Sequence, residues 1–554
     1  MFQQNNNLNK NMKKKRIIVT CAFPYSNGKL HIGHLLEQIQ ADIWVRYQKI
    51  KGNIVYFLCS DDSHGTPIML NHKKSNIPIK EIIKKNKNSH MEDFKKFNII
   101  HDYYSSTHSL TNLLMSRHIY KKIKKKNFIE KKIIYQLYDP IEKIFLPDRF
   151  VEGICPFCKS KGQSGDSCDK CGMIYSSVKL IEPVSVLSRN RLILRKSKHL
   201  FFKISPFKKY IKKWIFKTFV SKKCLKKILE FIDSNLNYWN ISRDHPYFGF
   251  KIPNESNKYF YVWFDAIIGY ISLFKDFFKK NNEISFKDFW EGEKKFEFYQ
   301  FIGKDILYFH SILFPSILEC IKFRKPTKIF VHGHVVFNKR KISKSKGKSI
   351  KLNSYIKNNF DTDYLRYYYS TKISSEINDV NINAKNFLEK INSDLINKVI
   401  NLASRTSKFI NKIFNNRLSK KITCINLYNK FSKCSKKIEK YFEESEFFKV
   451  IKKIISLSKS ANKYIDKKTP WKIKNKKKLH EICTMGIQLF RIIIIYLKPI
   501  VPNLAKNSKK FLNVKSLSWK DIKNPMKGNH KINRFNHLLK KIKEKDLKKM
   551  FKTI

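Results

Sequence analysis

Residues 16–60 read RIIVTCAFPYSNGKLHIGHLLEQIQADIWVRYQKIKGNIVYFLCS, and this stretch decides the fold. Its apolar run Ile17 to Thr20 predicts a short strand, an amphipathic helix follows from about His31 to Gly52, and a second apolar strand covers Ile54 to Ser60. A strand, a helix and a strand at this spacing form a βαβ unit, in which the strands are parallel and the crossover is right-handed. We therefore predict an α/β protein built on a parallel sheet.

Two segments at the predicted carboxyl ends of these strands are candidates for a ligand site. Residues 24–34 form a turn and the start of the helix, and residues 61–66 directly follow the second strand. Ligands of parallel α/β sheets bind at this edge. We therefore expect the functional site there.

The rest of the chain divides into an insertion, the remainder of the sheet and a helical region. Residues 136–182 contain Gly and Cys with few helical signals and predict an inserted domain, whereas 259–264 and 329–336 predict further strands. From about residue 386 to about residue 511, apolar residues recur three and four apart, which predicts a helical bundle. The insertion is therefore expected to split the sheet.

Composition excludes several classes of protein. With 554 residues and 42% apolar content, the chain is long enough for about three domains and is not a small disulfide scaffold. The N-terminus has no apolar signal core, and the apolar run 487–501 is interrupted by Arg491 and Lys498, so it predicts a buried helix and no membrane span. Eleven cysteines without a secretory signal indicate reduced thiols, and we expect a cytoplasmic protein.

The formal charge of +70, from 114 Lys and Arg against 44 Asp and Glu, is typical of proteins that bind polyanions. Lys, Ile, Asn and Phe are used heavily while Gly and Pro stand at 16 each, as a coding sequence biased towards A and T produces. The charge is therefore compatible with an RNA partner without proving one.

The segment His31-Ile32-Gly33-His34 lies at the predicted start of a helix, where N–H groups and the macrodipole favour anions. The two histidines share one helical face, and Gly33 lets a planar base approach the backbone. Together they predict a cradle for a nucleotide phosphate, although so short a pattern also arises by chance.

A second segment, KISKS at residues 341–345, follows the strand that we expect to end near Phe337. The ammonium groups of Lys341 and Lys344 on a mobile loop can close over a triphosphate and stabilise the charge that develops as pyrophosphate leaves. In a chain this rich in lysine, a solvated basic loop is the alternative.

Four cysteines, Cys155, Cys158, Cys168 and Cys171, form two Cys-x2-Cys pairs separated by nine residues. This spacing is typical of a tetrahedral metal site, and four thiolates without histidine predict a closed, structural site for one zinc ion. Disulfide pairing is the alternative. We expect such a knuckle to stabilise its domain and to take no part in the chemistry.

The segments at 31–34 and 341–345 resemble, in order and spacing, the two signature motifs of the class I aminoacyl-tRNA synthetases. The resemblance is closest to the methionyl-tRNA synthetase family and extends from about residue 14 to about residue 540. It implies a Rossmann-like parallel sheet split by a zinc-binding insertion and followed by an all-α bundle. The blocks that carry it are, in family order, TCAFPYSNGKLHIGH from Thr20, CSDDSHGTPI from Cys59, KYFYVWFDA from Lys258, FIGKDI from Phe301 and LRYYY from Leu365.

The resemblance implies a methionine pocket. Asp62 would hold the α-ammonium of L-methionine. Tyr25, Trp263 and His310 would surround the thioether, since aromatic faces suit a polarisable sulfur. Tyr25 and Trp263 as plain core aromatics are the alternative.

The resemblance also implies an ATP site that binds its ligand with Mg2+. Asp305 would accept from the ribose hydroxyls, although a helix cap is its alternative role. The remaining ATP ligands would be His31, Gly33, His34 and Lys344. The catalytic groups would be His31, His34, Lys341 and Lys344.

In the helical region, Asn401, Arg405 and Trp471 resemble the positions with which the family reads the anticodon. An exposed Trp can stack an unpaired base while Asn and Arg read its edges. Burial of Trp471 inside the bundle is the alternative.

The chain departs from the family pattern at three positions. Ile267 stands where relatives commonly have Pro, Phe23 where many have Leu, and Ile342 where Met is commoner. The first two line or flank the amino-acid pocket, and none removes a charged group. A C-terminal dimerisation extension found in some relatives is not seen before Ile554, so a monomer is expected.

The implied reaction has two steps. Methionine attacks the α-phosphorus of ATP to give methionyl-adenylate and pyrophosphate, and the methionyl group then passes to tRNA(Met), initiator and elongator. Another class I synthetase is an alternative, but those for leucine, isoleucine and valine need an editing insertion for which residues 148–235 leave no room. A small nucleotidyltransferase would leave the knuckle unexplained, and intact motifs disfavour a non-catalytic tRNA-binding relative.

We expect the following division of the chain. The two halves of the catalytic domain are residues 14–125 and 236–337, and the inserted domain with the knuckle is 126–235. The KISKS loop and a stem-contact region occupy 338–390, and a helical anticodon-binding domain occupies 391–554.

Overall fold

The computed structural model describes most of the chain. The described residues are 14–165, 168, 170–171, 173, 175–234, 236–281, 285–292, 296–337, 340–341, 352–357 and 360–551. Lys344 lies outside them.

The strands and helices alternate in the first part of the chain, and helices dominate the last part. In chain order the strands are β1 (Arg16–Cys21), β2 (Ile54–Asp61), β3 (Tyr103–Ser106), β4 (Ile129–Asp139), β5 (Ile144–Phe145), β6 (Val151–Ile154), β7 (Gln163–Ser164), β8 (Ile181–Ser185), β9 (Ile193–Lys203), β10 (Tyr238–Asn240), β11 (Ser242–Asp244), β12 (Lys258–Phe260), β13 (Phe296–Gly303), β14 (Lys328–His332), β15 (Val335–Phe337), β16 (Arg340–Lys341) and β17 (Val380–Ile382). The α-helices are α1 (Ile32–Lys51), α2 (Thr66–Ser75), α3 (Ile79–Lys96), α4 (Leu110–Lys125), α5 (Lys208–Thr218), α6 (Lys222–Asp233), α7 (Val262–Lys280), α8 (Phe286–Trp290), α9 (Phe314–Cys320), α10 (Leu352–Lys357), α11 (Thr362–Ser370), α12 (Ala384–Lys390), α13 (Asn401–Ile413), α14 (Ile425–Lys433), α15 (Ser435–Glu443), α16 (Phe447–Lys468), α17 (Lys476–Leu497), α18 (Pro502–Leu512) and α19 (Glu544–Phe551).

A five-stranded parallel sheet lies at the centre, in the order β14-β13-β1-β2-β3. This is the doubly wound order of a Rossmann-like fold, whose switch point lies between β1 and β13. Both faces are buried, because side chains alternate along each strand: Ile17 and Val19 of β1 join one apolar core and Ile18 joins the other. The predicted fold class is confirmed.

One predicted strand is wrong. In the apolar run 259–264, the strand ends at Phe260 and pairs with β11 and, at Tyr259, with Lys251, outside the parallel sheet, and helix α7 begins at Val262. A short, continuous apolar run does not distinguish a buried strand from a buried helix. The fourth strand of the parallel sheet is instead β13, which follows α7 and α8.

The insertion lies between β3 and β13. It contains a four-stranded antiparallel sheet of order β10-β9-β4-β5 and a small sheet of order β7-β6-β8. The four predicted metal ligands lie between β6 and β8. The parallel sheet is therefore split as predicted.

The helical bundle is fixed to the first helix of the sheet by a buried arginine. Arg366 of α11 donates to Asp42 of α1 at 2.6 Å and to the carbonyls of Pro499 and Ile500 at 3.1 and 2.9 Å. The Arg366 side chain is wholly buried. Burial of a charge without partners would be very unfavourable, and these hydrogen bonds supply the partners. The bundle and the sheet thus share one buried contact region.

Helix α17 is long and apolar enough to cross a membrane by length and composition alone. Within the structure, 89% of its most apolar window is buried by other helices. This is the packing of a core helix, and the prediction of a buried helix in 487–501 is confirmed up to the end of α17 at Leu497.

Candidate active site

A cavity of about 410 Å³ opens at the carboxyl edge of the parallel sheet. It lies where β1, β2, β13 and β14 end, at the switch point of the sheet. It brings together every predicted methionine- or ATP-binding residue that the structure describes: Tyr25, His31, Gly33, His34, Asp62, Trp263, Asp305 and His310.

The N-terminus of α1 supplies one wall, and its two histidines cap the helix reciprocally. His31 Nδ1 accepts from the N–H of Gly33, and His34 Nδ1 accepts from the N–H of His31, each at 3.1 Å. The ring centroids are 3.7 Å apart. Because each Nδ1 accepts, each neutral ring carries its proton on Nε2 and can donate from there. These donors add to the positive end of the helix macrodipole.

Gly33 is required by this pair of histidines. A Cβ atom at position 33 would lie 2.9 Å from two atoms of the His31 ring. Any side chain there would displace the capping imidazole. The glycine therefore serves the histidine geometry as well as leaving room for a planar ligand.

The cavity wall also contains a buried carboxyl group with an unpartnered oxygen. Asp62 is 4% exposed, and within the described part of the chain its Oδ1 has no hydrogen-bond partner. Burial, and then the negative charge of Asp265, raise the pKa of Asp62 well above its usual range. A buried carboxylate of this kind calls for a cationic ligand.

Main-chain bonds place Asp62 beside the predicted pocket tyrosine. The N–H of Asp62 donates to the carbonyl of Pro24 at 2.9 Å, and the N–H of Ser26 donates to the carbonyl of Asp62 at 2.8 Å. Tyr25 lies between these two bonds, and its hydroxyl donates to the carbonyl of His64. Tyr25 and Asp62 therefore form one unit of the cavity wall.

An aromatic group forms the apolar end of the cavity. Trp263 stacks on Phe309 with centroids 4.0 Å apart and planes at 15°. His310 lies in a π-helical segment, Phe309–Leu313, a distortion often found at functional sites. The irregular turn directs this histidine into the cavity wall.

His310 is neutral. Burial lowers its pKa to about 4. Its Nδ1 donates to the carbonyl of Ile306 at 3.0 Å, so Nε2 is the acceptor and the Tyr270 hydroxyl donates to it at 2.9 Å. This end of the cavity therefore presents uncharged, polarisable groups.

Two departures from the family pattern, Phe23 and Ile267, both line the cavity. The Phe23 ring contacts Tyr270 with centroids 4.3 Å apart. The aromatic ring at position 23 thus touches the residue that donates to His310. No charged group is lost by either departure.

Asp305 follows β13 at the cavity edge. Its Oδ1 lies 3.7 Å from Nε2 of His334, and 64% of its side chain is exposed. A Cβ on Gly303 would lie 2.6 Å from the same oxygen, so the glycine permits this close approach. The carboxylate is thus accessible to a ligand in the cavity.

Sequence reasoning missed Glu37, His332 and His334, which also line the cavity. Glu37 Oε2 lies 3.4 Å from His332 Nε2. Burial raises the pKa of Glu37 to about 7. Burial alone would lower the pKa of His332, but the hydrogen bond and the negative charge of Glu37 have the larger effect, so the pKa of His332 is raised. Two signals were present: Glu37 is three residues after His34 in α1, and His332 ends a strand at the ligand-binding edge, two residues before His334.

The KISKS segment begins at this edge of the site. We expected Lys341 to lie in a loop. It lies instead in strand β16, opposite Val336 of the antiparallel strand β15. Strand β15 directly follows His334. Lys344 lies outside the described residues.

The four cysteines converge. Their sulfur atoms all lie within 4.8 Å of one another, with Cys155 to Cys171 at 3.8 Å and Cys158 to Cys168 at 3.5 Å. These separations exclude disulfide bonds. Tetrahedral zinc with Zn–S bonds near 2.3 Å holds its sulfurs about 3.8 Å apart, so the residues fit the ion.

The predicted anticodon residues share one surface. Trp471 is 51% exposed, so the alternative of a buried tryptophan is wrong. The Arg405 guanidinium lies 5.0 Å from the centre of the Trp471 ring and donates to Asp466 at 2.7 Å. Asn401 and Arg405, one turn apart on α13, line an adjacent depression of about 360 Å³.

Comparisons with known proteins show the family to which the chain is related. Residues 17–407 match the family model of class I tRNA synthetases (M), and residues 423–553 match the anticodon-binding domain of methionyl-tRNA ligase. The methionine–tRNA ligases of Buchnera aphidicola subsp. Baizongia pistaciae and Wigglesworthia glossinidia brevipalpis are 52% and 50% identical over 97% and 96% of this chain, and over 98% and 97% of their own lengths.

Solved structures share the fold. Mycobacterium tuberculosis methionyl-tRNA synthetase bound by methionyl-adenylate aligns with a TM-score of 0.78 at 18% identity, over 95% of this chain and 100% of the other. The family match covers most of the chain, and the close relatives match it along nearly their whole length. The chain therefore belongs to the class I methionyl-tRNA synthetases, the ligases that join methionine to tRNA.

Proposed function

We propose that the cavity activates L-methionine with ATP to form methionyl-adenylate and pyrophosphate, and that tRNA(Met), initiator and elongator, then receives the methionyl group. The observation that carries this proposal is Asp62, a buried carboxylate with an unpartnered oxygen among the described residues, in the same cavity as the N-terminus of α1. The ammonium of an amino acid supplies the cation that Asp62 lacks, and phosphates supply the anion that the helix favours.

Methionine would lie between Asp62 and the aromatic end of the cavity. With its ammonium on Asp62, its side chain extends towards Tyr25, Trp263 and His310. The neutral state of His310 supports this placement, because a thioether gains from polarisable surroundings and cannot satisfy a buried charge.

ATP would occupy the other half of the cavity. His31 and His34 donate to its phosphates from Nε2, Gly33 leaves room for the base, and Asp305 accepts from the ribose. Lys341 and Lys344 then neutralise the charge that develops on the leaving pyrophosphate. Mg2+ would accompany the phosphates. Catalysis of this kind consists of positioning and charge stabilisation.

Methionine-dependent exchange of labelled pyrophosphate into ATP tests the proposed activity. The purified protein is expected to catalyse exchange with methionine, with a kcat/KM at least about tenfold above that for leucine, isoleucine, valine or cysteine, because one misplaced apolar group costs about 1–3 kcal/mol in such a pocket. Exchange with one of these amino acids in preference to methionine would identify another class I synthetase. No exchange at all would identify a non-catalytic relative.

We propose that the four cysteines hold one structural zinc ion. Elemental analysis of the purified protein is expected to find about one zinc per chain, and Cys171→Ser is expected to lose it, because three thiolates bind far more weakly than four. Cys424→Ser is the matched control, since Cys424 is also exposed but lies in the helical bundle. Zinc retained by Cys171→Ser would contradict the assignment.

We propose that Asn401, Arg405 and Trp471 read the anticodon. Trp471→Ala is expected to lower kcat/KM for tRNA aminoacylation by about 10- to 100-fold, since stacking of a base is worth about 1–3 kcal/mol. Pyrophosphate exchange, which needs no tRNA, should stay at the parental rate. Trp471→Phe keeps a stacking ring and should recover most of the loss. An equal fall in exchange and aminoacylation would refute a role limited to tRNA.

We further propose that the enzyme acts as a cytoplasmic monomer with the five-part division of the chain given above. The burial of α17 inside the bundle supports a location away from membranes.

A further inference from the structure

The turn that carries Tyr25 is held from outside the cavity by three side chains. This signature turn, residues 24–28, lies between β1 and α1 and is paired on one side with Asp62 through a single bridge at Tyr25. Three consecutive carbonyls in it accept from side chains on α2 and α3. The bonds are Asn86 Nδ2 to Ser26 O at 2.7 Å, Asn71 Nδ2 to Asn27 O at 3.3 Å and His90 Nε2 to Gly28 O at 2.9 Å.

The histidine of this group is itself oriented by a buried carboxylate. His90 and Asp61 are both fully buried, and His90 Nδ1 lies 2.9 Å from Asp61 Oδ1. Tyr104 donates to the same oxygen. Because a carbonyl only accepts, Nε2 of His90 must donate to Gly28, and Asp61 fixes the ring from the other side.

The geometry links these bonds to the methionine side of the site. Asn86 and His90 lie four residues apart, on one face of α3. Ser26, which receives the Asn86 bond, is the immediate neighbour of Tyr25 and donates its N–H to Asp62. A shift of the turn would therefore move Tyr25 and the Asp62 strand end together.

We propose that Asn86 and His90 are positioning residues, through which α3 sets the place of the signature turn and hence the affinity for methionine. The inference rests on the proposed function, since it concerns the methionine half of that site. Neither side chain lines the cavity. Both act through main-chain atoms of the turn.

The test is steady-state pyrophosphate exchange with Asn86→Asp, in which a carboxylate oxygen replaces the amide donor and faces the Ser26 carbonyl. We expect the methionine KM to rise about tenfold, the size of one lost hydrogen bond, with kcat and the ATP KM close to parental values. A shifted turn weakens methionine equally in the ground state and the transition state, which appears in KM alone. Asn88→Asp makes the same change on the exposed face of α3 and should match the parent.

His90 provides the second arm. His90→Leu should raise the methionine KM, and His90→Gln, which keeps an amide donor, should recover much of the loss; if His90→Leu does not fold, Asn86→Asp still decides the question. A fall in kcat with unchanged KM in Asn86→Asp would mean less active enzyme and a merely structural role, and would overturn the proposal. So would a KM equal to that of Asn88→Asp. An inactive parental protein would overturn the proposed function and this inference with it.

Discussion

Asp62→Asn is expected to lower kcat/KM for methionine in pyrophosphate exchange by about 10²- to 10³-fold. Truncating one member of a buried, hydrogen-bonded charge pair costs about 2–5 kcal/mol, and each 1.4 kcal/mol is a factor of ten. The asparagine keeps the size of the side chain and removes only the charge that would pair with the ammonium. Steady-state kinetics at saturating ATP measure the change.

The same substitution is expected to stabilise the unliganded fold. The folded-state pKa of Asp62 lies well above the unfolded value of about 3.9, so the ionised side chain costs folding free energy at every pH above about 3.9. Asp62→Asn should therefore have a higher Tm than the parent at pH 7, and the difference should vanish below about pH 3.9. Activity and stability then move in opposite directions, as expected of a residue kept for its ligand.

A buried carboxylate outside the cavity provides the matched control. Asp363 of α11 is also fully buried with one oxygen unpartnered among the described residues, and burial raises its pKa to about 7. Asp363→Asn should leave kcat/KM for methionine unchanged. If Asp62→Asn keeps methionine activation within about threefold of the parent, the ammonium role of Asp62 is wrong.

Local patterns predicted the part of the fold that local physics determines. The first βαβ unit was predicted within one or two residues at each boundary, because apolar runs alternate with a capped amphipathic helix. The sequence patterns did not predict strand β13. Its place depends on pairing with β1, whose residues lie about 280 positions earlier, and no periodicity within β13 reports that partner.

The residues of the candidate site also divide into those that local sequence predicted and those that depend on the packed fold. Motifs and family resemblance placed Tyr25, Asp62 and His34 at one edge of the sheet, and the structure brings them to one cavity. The Glu37–His332 pair was not foreseen, because it joins α1 to the end of β14 and exists only once the strand order is known. The orphaned oxygen of Asp62 is likewise a property of packing and not of sequence.

His34→Ala is expected to slow adenylate formation by about 10²- to 10³-fold in kcat, with little change in the methionine KM. Removing one preorganised donor that acts on developing charge has about this effect, and an interaction made mainly in the transition state lowers kcat without raising KM. His34 meets this description, because its Nδ1 is occupied by the His31 N–H and its Nε2 carries the remaining proton. Single-turnover kinetics of adenylate formation measure the step directly.

His34→Ala also removes a helix cap, which is worth about 1 kcal/mol of stability. A second variant must therefore separate the loss of the imidazole donor from the loss of the cap. In His34→Asn the amide oxygen can still accept from the N–H of residue 31, while the imidazole donor is gone. Equal kcat losses in both variants, with a parental Tm only in His34→Asn, would assign the rate to the imidazole. Full activity in His34→Asn would assign it to the cap.

Lys344→Ala should reproduce the His34→Ala pattern, because both groups are proposed to act on the same triphosphate. Lys346→Ala is its control: it removes the same charge two residues further along the same basic segment. A kcat loss confined to Lys344→Ala means that one ammonium is placed against developing charge. Equal losses of kcat in both variants would mean that the segment acts through its summed charge. Added salt would then reduce the difference in kcat between each variant and the parent, since screening weakens a diffuse field far more than a contact pair.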